Sequence, residues 1–288
     1  MEVKVLKPIG FCVGVVEAIK GAINIKKQYA NQNVYVFGYL VHNETVINSL
    51  KEEGIISIDI SNKDPLELLE QFKEGDIVIF SAHGHPKEYE KILERNHVVY
   101  FDTTCSKVKK NMDLIRENLS RGVIYIGKRF HPEATAGISV GDSVSLYDIK
   151  EGFSFENYPY TSPIVVNQTT LSFLEIEAIH EDIKKHLPEA VITDEICDAT
   201  RSRQEALKKL DKHYDLIVIV GSTKSSNTDK LYQVAKELHQ DSLVLKVNSL
   251  EELKTYNLTN IKNAVITSGT STPYKNIQEI ENYLKGVN

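Results

Sequence analysis

The sequence predicts an α/β protein made of three similar units, each built on a parallel sheet, and three observations support this prediction. Apolar, β-branched runs alternate with helix-like segments along all 288 residues, which is typical of parallel sheets with helices on both faces. The three cysteines, Cys12, Cys105 and Cys197, lie 93 and 92 residues apart. Similar segments surround each cysteine in the same order, so we expect an internal repeat of roughly 90 residues.

Each repeat begins with an apolar strand that ends at its cysteine and continues into a helix. The strand segments are EVKVLKPIGFC, HVVYFDTTC and AVITDEIC. The helix segments that follow are VVEAIKGAINIKKQ, SKVKKNMDLIRENL and RSRQEALKKLDKH. Their apolar residues recur at helical spacing, whereas the strand segments are rich in Val, Ile and Tyr.

A second strand, a polar loop, a third strand and another helix complete each repeat. The second strands are NVYVFGYL, GVIYIGKRF and LIVIVGST, and the loops after them carry VHNET, RFHPEAT and KSSNTDK. The third strands end in small polar residues, in DIVIFSAHGHP, PIVVNQTTLS and NAVITSGTSTP. The closing helices are PKEYEKILERN, LSFLEIEAIHEDIKKHL and PYKNIQEIENYLKG.

These segments predict units at 14–105, 106–196 and 197–288. The third unit lacks a closing strand, and the N-terminal segment 1–13, which contains VKVLKP, could supply it and close the units into a ring. Ligands of such sheets bind at the carboxyl ends of the strands. All three cysteines and all six polar loops fall at such ends, so we expect them to form one site.

The charge and the hydrophobic pattern disfavour two classes of partner, nucleic acid and membranes. The net charge of −6 disfavours nucleic acid, which selects for basic faces. No apolar run reaches the roughly 18 residues of a membrane span, and the start MEVKVLKPIG lacks the order of a signal peptide. We therefore expect a cytoplasmic protein with reduced thiols and no membrane partner.

Three cysteines at equivalent strand ends indicate a metal centre. A single free cysteine is often a small core residue, but here each lies beside Gly, Thr or Asp and before a helix, whose N-terminus should lower the thiol pKa. Thiolates in one place repel unless a cation holds them. The absence of CxxC excludes a zinc ribbon or a ferredoxin-type run. A Cys₃His zinc site and a [4Fe–4S] cluster with one open iron both remain.

The polar loops predict an anion-binding ring around this centre. His42, His83 and His131 recur in loops at matching positions of the repeats, whereas His85, directly before Pro86, has a weaker case. The third repeat offers hydroxyl and amide groups, from Ser225, Ser226, Asn227 and Ser271. Imidazolium, hydroxyl and amide donors at helix starts suit a phosphate or diphosphate. Standard nucleotide motifs are missing.

Glu133, in HPE, and Thr169, in QTTLS, would lie beside this ring. A surface position is the ordinary interpretation of an isolated glutamate. In a closed pocket, however, its carboxyl group could deliver protons as a general acid. The Thr169 hydroxyl could orient or pass on such a proton.

The chain contains, in order, the motifs GFCxGV, VHNE, SAHG, DTTC, HPE, QTTLS, CxATxxRQEA, SSN and TSGTSTP. In this order of motifs the sequence resembles the 4-hydroxy-3-methylbut-2-enyl diphosphate reductases, the family that catalyses the last step of the non-mevalonate isoprenoid pathway. The resemblance extends from Gly10 to Pro273. It implies a pseudo-threefold trefoil of three α/β units around a central iron–sulfur cluster. That [4Fe–4S] cluster, one per chain, would be ligated by Cys12, Cys105 and Cys197, with its fourth iron open to the substrate.

The resemblance also implies the reaction and the roles of the ring. The diphosphate site would comprise His42, His83, His131, Ser225, Ser226, Asn227 and Ser271, with Glu133 and Thr169 in proton delivery. The reaction would be the two-electron removal of the allylic hydroxyl group, giving isopentenyl and dimethylallyl diphosphate. Electrons would come from a small donor such as ferredoxin or flavodoxin.

Two other functions use the cysteines differently. A zinc-dependent hydrolase of a phosphorylated metabolite would place one ion where the cluster is expected. A non-enzymatic iron–sulfur redox sensor would need the cysteines but would leave the ring of His, Ser and Asn donors without a purpose.

The sequence departs from the family pattern at a few positions. Phe130 stands where the family usually has Gly before the HPE histidine, and a bulky side chain there could reshape the loop or stack near it. Thr104 and Ser268 replace common alanines, which are small changes.

Overall fold

The computed structural model describes residues 1–210 and 213–286 and contains three four-stranded parallel sheets. The first sheet comprises β2 (Val34–Phe37), β3 (Ile55–Ile58), β4 (Ile77–Phe80) and β5 (Val99–Asp102). The second comprises β6 (Val123–Gly127), β7 (Val144–Asp148), β8 (Ile164–Asn167) and β9 (Val191–Ile192). The third comprises β1 (Glu2–Val5), β10 (Leu216–Val220), β11 (Leu243–Val247) and β12 (Asn263–Ser268).

Helices flank all three sheets, so the predicted α/β fold of three parallel-sheet units is confirmed. Those associated with the first sheet are α1 (Val13–Gln28), α2 (Glu44–Glu52), α3 (Pro65–Leu69) and α4 (Lys87–Arg95). Those of the second are α5 (Ser106–Glu117), α6 (Pro132–Ile138) and α7 (Phe173–His186), with a 3₁₀ turn at Leu119–Arg121. Those of the third are α8 (Asp198–Lys208), α9 (Ser226–Leu238), α10 (Leu250–Leu253) and α11 (Tyr274–Gly286).

The strand order is the same in each sheet. It runs β3-β2-β4-β5 in the first sheet, β7-β6-β8-β9 in the second and β11-β10-β12-β1 in the third. In the third sheet β1 pairs in parallel with β12, with Val3 opposite Ala264. The first strand of the chain therefore occupies the place that β5 and β9 hold in the other two sheets.

Four of the six central strands are buried on both faces. Every residue of β4, β6, β8 and β10 is buried, because helices cover both sides of a parallel sheet and leave only apolar surroundings. These are the continuous apolar runs from which the strands were predicted.

One strand of each sheet was not predicted from the sequence. The edge strands β3, β7 and β11 carry partly exposed residues and a mixed pattern, as in VSLYD and LVLKV. These three strands lack the continuous apolar run that identifies a central strand. The opposite edge strands, β1, β5 and β9, were predicted because each belongs to the recurring run that leads to a cysteine.

The predicted polar loops contain the caps of three helices. The side chain of Asn43 accepts a hydrogen bond from Val46 N at the start of α2. His131 Nδ1 accepts one from Glu133 N at the start of α6, and Ser225 caps α9. Helix starts therefore fix these side chains at the carboxyl ends of the strands.

Partly buried polar contacts connect the three α/β units. Glu44 of α2 accepts hydrogen bonds from Ser222 Oγ and Asn248 Nδ2, at 3.3 and 3.1 Å, beside the third sheet. Lys230 of α9 pairs with Glu175 of α7 at 2.8 Å.

Within the described residues, no helix has both the length and the apolar character needed to cross a bilayer.

Candidate functional site

The three cysteines occupy equivalent places at the carboxyl ends of the sheets. Each immediately precedes a helix: Cys12 precedes α1, Cys105 precedes α5 and Cys197 precedes α8. Their backbone N–H groups donate to Thr270 O, Ala82 O and Thr169 O respectively, each at 3.0 Å. Each acceptor lies two residues beyond the end of β12, β4 or β8, so one hydrogen bond repeats three times around the site.

The thiols lie close enough to influence one another. All three are free and partly exposed. Negative charge on Cys197 and Cys105 raises the pKa of Cys12, and negative charge on Cys105 raises the pKa of Cys197. The three thiols are therefore within electrostatic range of one another, which is compatible with the predicted convergence of the cysteines.

For Cys12 and Cys197, the expectation that a helix start lowers the thiol pKa is wrong in its net direction. Burial raises the pKa of Cys12 by more than the N–H of Val15 lowers it. The same holds for the pKa of Cys197, where burial outweighs the N–H groups of Ala199 and Thr200. Desolvation disfavours the thiolate, so metal binding at these thiols would have to release protons.

Gly14 provides the close approach between the first two cysteines. A Cβ added at Gly14 would lie 2.6 Å from Cys105 Sγ. Any side chain at this position would therefore displace the Cys105 thiol. The turn that carries Cys12 can pack against Cys105 only because residue 14 is glycine.

Arg203, a residue whose role was not predicted, connects the loops around Cys12 and Ser268. It is 3% exposed and donates to Ser268 O at 3.1 Å and to Gly10 O at 2.7 Å. Burial lowers the pKa of Arg203, whereas negative charge on Cys12 and Cys197 raises it. Its guanidinium group is thus a fixed positive charge beside two of the three thiols.

Ser268 contributes more than a small change from alanine. Its hydroxyl group accepts a hydrogen bond from Gly10 N at 2.9 Å, which connects β12 to the turn before Cys12. Thr104 is also engaged, since its backbone N–H and its hydroxyl group both donate to Asp102 Oδ1 just before Cys105.

The three predicted histidines form a cluster. The ring centroids of His42 and His83 lie 5.1 Å apart, and those of His83 and His131 lie 5.7 Å apart. Ser81 Oγ lies 3.1 Å from His83 Nδ1 and orients that ring. His85 takes no part, because it stacks on Phe80 and contacts Glu90 at 2.9 Å.

The histidine cluster is neutral rather than cationic before an anion binds, which corrects the expectation of imidazolium donors. Burial lowers the pKa of His131 to about 3 and the pKa of His83 well below its usual value. Burial also lowers the pKa of His42, and the nearby ammonium groups of Lys224 and Lys128 lower it further. A bound anion would reverse part of this effect and draw protons onto the rings.

The hydroxyl and amide donors predicted in the third unit surround the start of α9. Asn227 is fully engaged, since it donates to Thr200 Oγ1 at 2.8 Å and accepts from Thr270 N at 2.9 Å. The Ser271 hydroxyl oxygen is buried without a hydrogen-bonding partner. A buried hydroxyl group that lacks a partner is costly, so Ser271 is suited to a ligand.

Gln168 connects these donors to the histidine side of the site. Its Nε2 donates to Ser226 Oγ at 3.3 Å, while its Oε1 accepts from Lys128 N at 3.1 Å. The roles of Lys128 and Lys224 were not predicted, because no motif distinguishes an exposed lysine from one at a site. Ser81, Gln168 and Arg203 lie inside the motifs SAHG, QTTLS and CxATxxRQEA, but the sequence did not show their contacts.

Glu133 and Thr169 are buried and in direct contact. Thr169 donates to the Glu133 carboxylate twice, from its N–H at 2.8 Å and from its hydroxyl group at 2.9 Å. Burial raises the pKa of Glu133 to about 7, although the hydrogen bonds from Thr169 and Tyr125 lower it. Thr169 O also accepts from Cys197 N, so one residue contacts both the carboxyl group and a cysteine.

Phe130 has an unusual backbone and an unusual surface position. Its φ is +64°, in the left-handed region that costs a non-glycine residue roughly 1–2 kcal/mol. Its side chain is 89% exposed. The conformation suits the glycine that the related family usually has at this position, and the phenyl ring extends into solvent without displacing His131 from the cluster.

Comparison with protein families gives a match along almost the whole chain. Residues 3–285 match the family described as LytB protein. A 4-hydroxy-3-methylbut-2-enyl diphosphate reductase from Bacillus licheniformis is 37% identical, over 99% of this chain and 91% of the relative. The reductase of the same name from Bacillus subtilis is 36% identical, with the same coverage.

Solved structures show the same similarity in three dimensions. The E-1-hydroxy-2-methyl-but-2-enyl-4-diphosphate reductase from Plasmodium falciparum matches with a TM-score of 0.86 at 28% identity, over 99% of this chain and 88% of that one. A structure of (E)-4-hydroxy-3-methyl-but-2-enyl diphosphate reductase, described as the terminal enzyme of the non-mevalonate pathway, matches with a TM-score of 0.66 at 27% identity, and both chains are fully covered.

Proposed function

The chain belongs to the LytB protein family, and on this basis we propose that it reduces 4-hydroxy-3-methylbut-2-enyl diphosphate to isopentenyl and dimethylallyl diphosphate. The observation that carries the mechanism is the position of Thr169. This residue donates two hydrogen bonds to the buried carboxyl group of Glu133 and accepts one from the backbone of Cys197. Thr169 therefore contacts both the proposed proton donor, Glu133, and the backbone of Cys197.

The reaction breaks one C–O bond and forms one C–H bond. The substrate takes up two electrons from an external reductant and two protons. One proton leaves with the hydroxyl oxygen as water, and the other is added to either end of the allylic system. The two positions of this second proton account for the two products.

In this proposal Cys12, Cys105 and Cys197 hold a [4Fe–4S] cluster. Three observations suit such a group: the mutual charge effects of the thiols, the cationic Arg203 beside two of them, and the close approach at Gly14. When bound, the cluster would supply single electrons and a Lewis-acidic iron without a cysteine ligand.

The two alternative functions, a zinc-dependent hydrolase and a redox sensor, are less well supported. The relatives that match almost the whole chain are named reductases, which supports a redox centre over a zinc-dependent hydrolase. A redox sensor would not require a buried carboxyl group with a pKa of about 7 beside the centre.

The substrate's diphosphate would lie among His42, His83 and His131 on one side and Ser225, Ser226, Asn227 and Ser271 on the other. The neutral histidines can donate one N–H each and can take up protons as the anion arrives. Ser271 Oγ, which has no partner in the protein, would gain one from a phosphate oxygen. Asn227 would act chiefly by holding the loop at Thr270 in place.

Glu133 would hold the proton for the departing oxygen. A carboxyl group with a pKa of about 7 is protonated in roughly half of the molecules at neutral pH. The hydroxyl group of Thr169 lies 2.9 Å from the carboxylate and can pass on or orient that proton. Tyr125 Oη lies 3.5 Å from the other carboxylate oxygen and limits the movement of the side chain.

The electron donor in this proposal is a small redox protein such as ferredoxin or flavodoxin, and the location is the cytoplasm, where thiols stay reduced. The test is an anaerobic assay of the iron-loaded protein with the hydroxylated diphosphate and reduced flavodoxin. We expect both five-carbon products. Release of phosphate without reduction would instead favour the hydrolase.

Replacing Gly14 with Ala is expected to reduce the iron bound by the reconstituted protein to roughly half or less, because a close-packed site cannot absorb the new methyl group. Its Cβ would lie 2.6 Å from Cys105 Sγ. The measurement is iron and acid-labile sulfide per chain after anaerobic reconstitution.

Gly21→Ala is the matched control, since Gly21 lies in the same helix and its added Cβ would come no closer than 3.8 Å to Thr103 Cγ2. Alanine favours a helix over glycine by about 1 kcal/mol, so this variant should be at least as stable as the parent and bind iron normally. Equal iron in the two variants would contradict the proposed position of Cys105 at the centre.

A further inference from the structure

A second cavity lies next to the histidine cluster, between the first sheet and α6. Its volume is about 700 Å³, within the range of sites for small organic ligands. Its walls are mainly aromatic and aliphatic, and include Phe37, Ile60, Phe80, Tyr89 and Pro132. Cys12, Cys105, Cys197, His83 and His131 do not line it, so it is separate from the centre where the reaction is proposed.

His42 belongs to both spaces. Its ring lies 5.1 Å from that of His83 in the histidine cluster, and it also lines the cavity. Ser81 has the same double position, since its hydroxyl group contacts His83 and it lines the cavity. A group bound at this shared wall would compete with an anion bound by the histidine cluster.

Positive charge is concentrated at the shared wall. The ammonium groups of Lys224 and Lys128 both act on the ring of His42, and Lys63 lines the cavity. Glu44 is the one carboxylate among the charged groups that act on that ring. Asp59 is a second carboxylate in this region, because it interacts with Lys224 and hydrogen-bonds with Tyr39 of the cavity wall. Three lysines still exceed these two carboxylates in a chain with a net charge of −6, which favours an anionic ligand at this end of the cavity.

Phe130 lines the opposite side of this cavity from the first sheet, together with Pro132 and Thr135. Its ring is 89% exposed, so it offers apolar surface that a ligand in the cavity could cover, and burial of that surface would contribute to binding. The positive charge near His42 and the apolar walls of the cavity together indicate a ligand with an anionic head group and an apolar tail.

We propose that this cavity binds prenyl diphosphates longer than the substrate, with ten carbons or more. The diphosphate lies against His42 and the surrounding lysines, and the tail lies among Phe37, Phe80 and Tyr89 beneath Phe130. The cavity volume is several times that of a five-carbon chain, so the substrate and its products do not fill it. Condensation of the five-carbon products yields such longer diphosphates, and their binding at His42 inhibits the enzyme by competition.

The test uses geranyl diphosphate as the probe and the anaerobically reconstituted holoenzyme. Binding is measured by calorimetry, with inorganic diphosphate as the reference for the head group alone. Phe130→Gly and Ile60→Ala should each raise the Kd for geranyl diphosphate, the former roughly tenfold, and leave the Kd for inorganic diphosphate unchanged. Ile56→Ala is the control, because Ile56 is exposed on β3 and does not line the cavity.

Geranyl diphosphate should also inhibit the parent enzyme competitively, and Phe130→Gly should relieve this inhibition while kcat stays within about twofold. The inference is overturned if geranyl diphosphate binds no tighter than inorganic diphosphate, or if neither cavity variant changes its Kd. Calorimetry requires no turnover, so failure of the proposed reaction would be seen separately from failure of this site.

Discussion

Replacing Glu133 with Gln is expected to lower kcat by roughly 100- to 10,000-fold, the usual contribution of one general acid. Gln has the same shape and can keep both contacts with Thr169, so only the transferable proton is lost. Iron content and diphosphate affinity should stay at the parent level. The measurement is steady-state turnover of the reconstituted variant beside iron analysis and calorimetry with inorganic diphosphate.

Glu90→Gln is the control for this substitution, since Glu90 is a partly buried glutamate that contacts His85 rather than Thr169. Its kcat should match that of the parent. Turnover of Glu133→Gln within threefold of the parent would remove Glu133 from the proton path.

The raised pKa of Glu133 also predicts how stability changes with pH. Its usual value of 4.5 applies in the unfolded chain, and burial raises it to about 7 in the folded protein. Below 4.5 both states hold the proton. Between 4.5 and 7 only the unfolded state releases it, so the free energy of unfolding falls as pH rises, by about 3 kcal/mol in total.

Glu133→Gln should therefore melt at a higher temperature than the parent near pH 8, and this difference should shrink towards pH 5. In the parent, kcat should fall as pH rises through about 7, because the protonated carboxyl group is the donor. A difference in melting temperature that does not change with pH would contradict the burial of an ionisable group at this position.

Replacing Arg203 with Met is expected to lower the free energy of unfolding by about 2–5 kcal/mol. The substitution leaves the carbonyl groups of Gly10 and Ser268 without the donors that they have in the fold, and each buried unpaired group costs about 1–3 kcal/mol. The turn that carries Cys12 depends on the same contacts, so reconstituted iron should fall as well. Chemical denaturation and iron analysis measure the two effects.

Arg201→Met is the matched control in the same helix. Arg201 is more exposed, and it pairs with Asp194 at the surface. Surface pairs contribute little, so we expect a change below about 1 kcal/mol and normal iron binding. If both arginine variants lose the same stability, the buried contacts of Arg203 do not hold the Cys12 turn.

Much of the fold follows from local sequence patterns. The central strands were predictable because burial on both faces forces continuous apolar runs, and the strand-to-helix junctions at Cys12, Cys105 and Cys197 were predictable because similar segments recur around each cysteine. The edge strands β3, β7 and β11 were not, since half-exposed residues such as those of VSLYD resemble a loop. Helices α2, α6 and α9 were not predicted either, because their first residues were assigned to polar loops. The short helices α3 and α10 were missed because five and four residues give no periodicity to detect.

The chemistry of the site was less predictable than its residues. Which histidines converge could be inferred from their repeat positions, but their charge could not, because desolvation of His83 and His131 depends on the packed structure. The direction of the pKa shift of Cys12 was predicted wrongly for the same reason, because burial raises this pKa by more than the helix start lowers it. Arg203 was missed because its partners are backbone carbonyls distant in sequence.

We propose that this chain removes a hydroxyl group by reduction at a centre held by three cysteines. The number of electrons consumed per five-carbon diphosphate formed, by anaerobically reconstituted protein with a titrated reductant, tests this proposal. We expect two electrons per product, and loss of both iron and product formation in Cys12→Ala, Cys105→Ala and Cys197→Ala. A colourless protein that holds one zinc ion and releases phosphate without taking up electrons would contradict it.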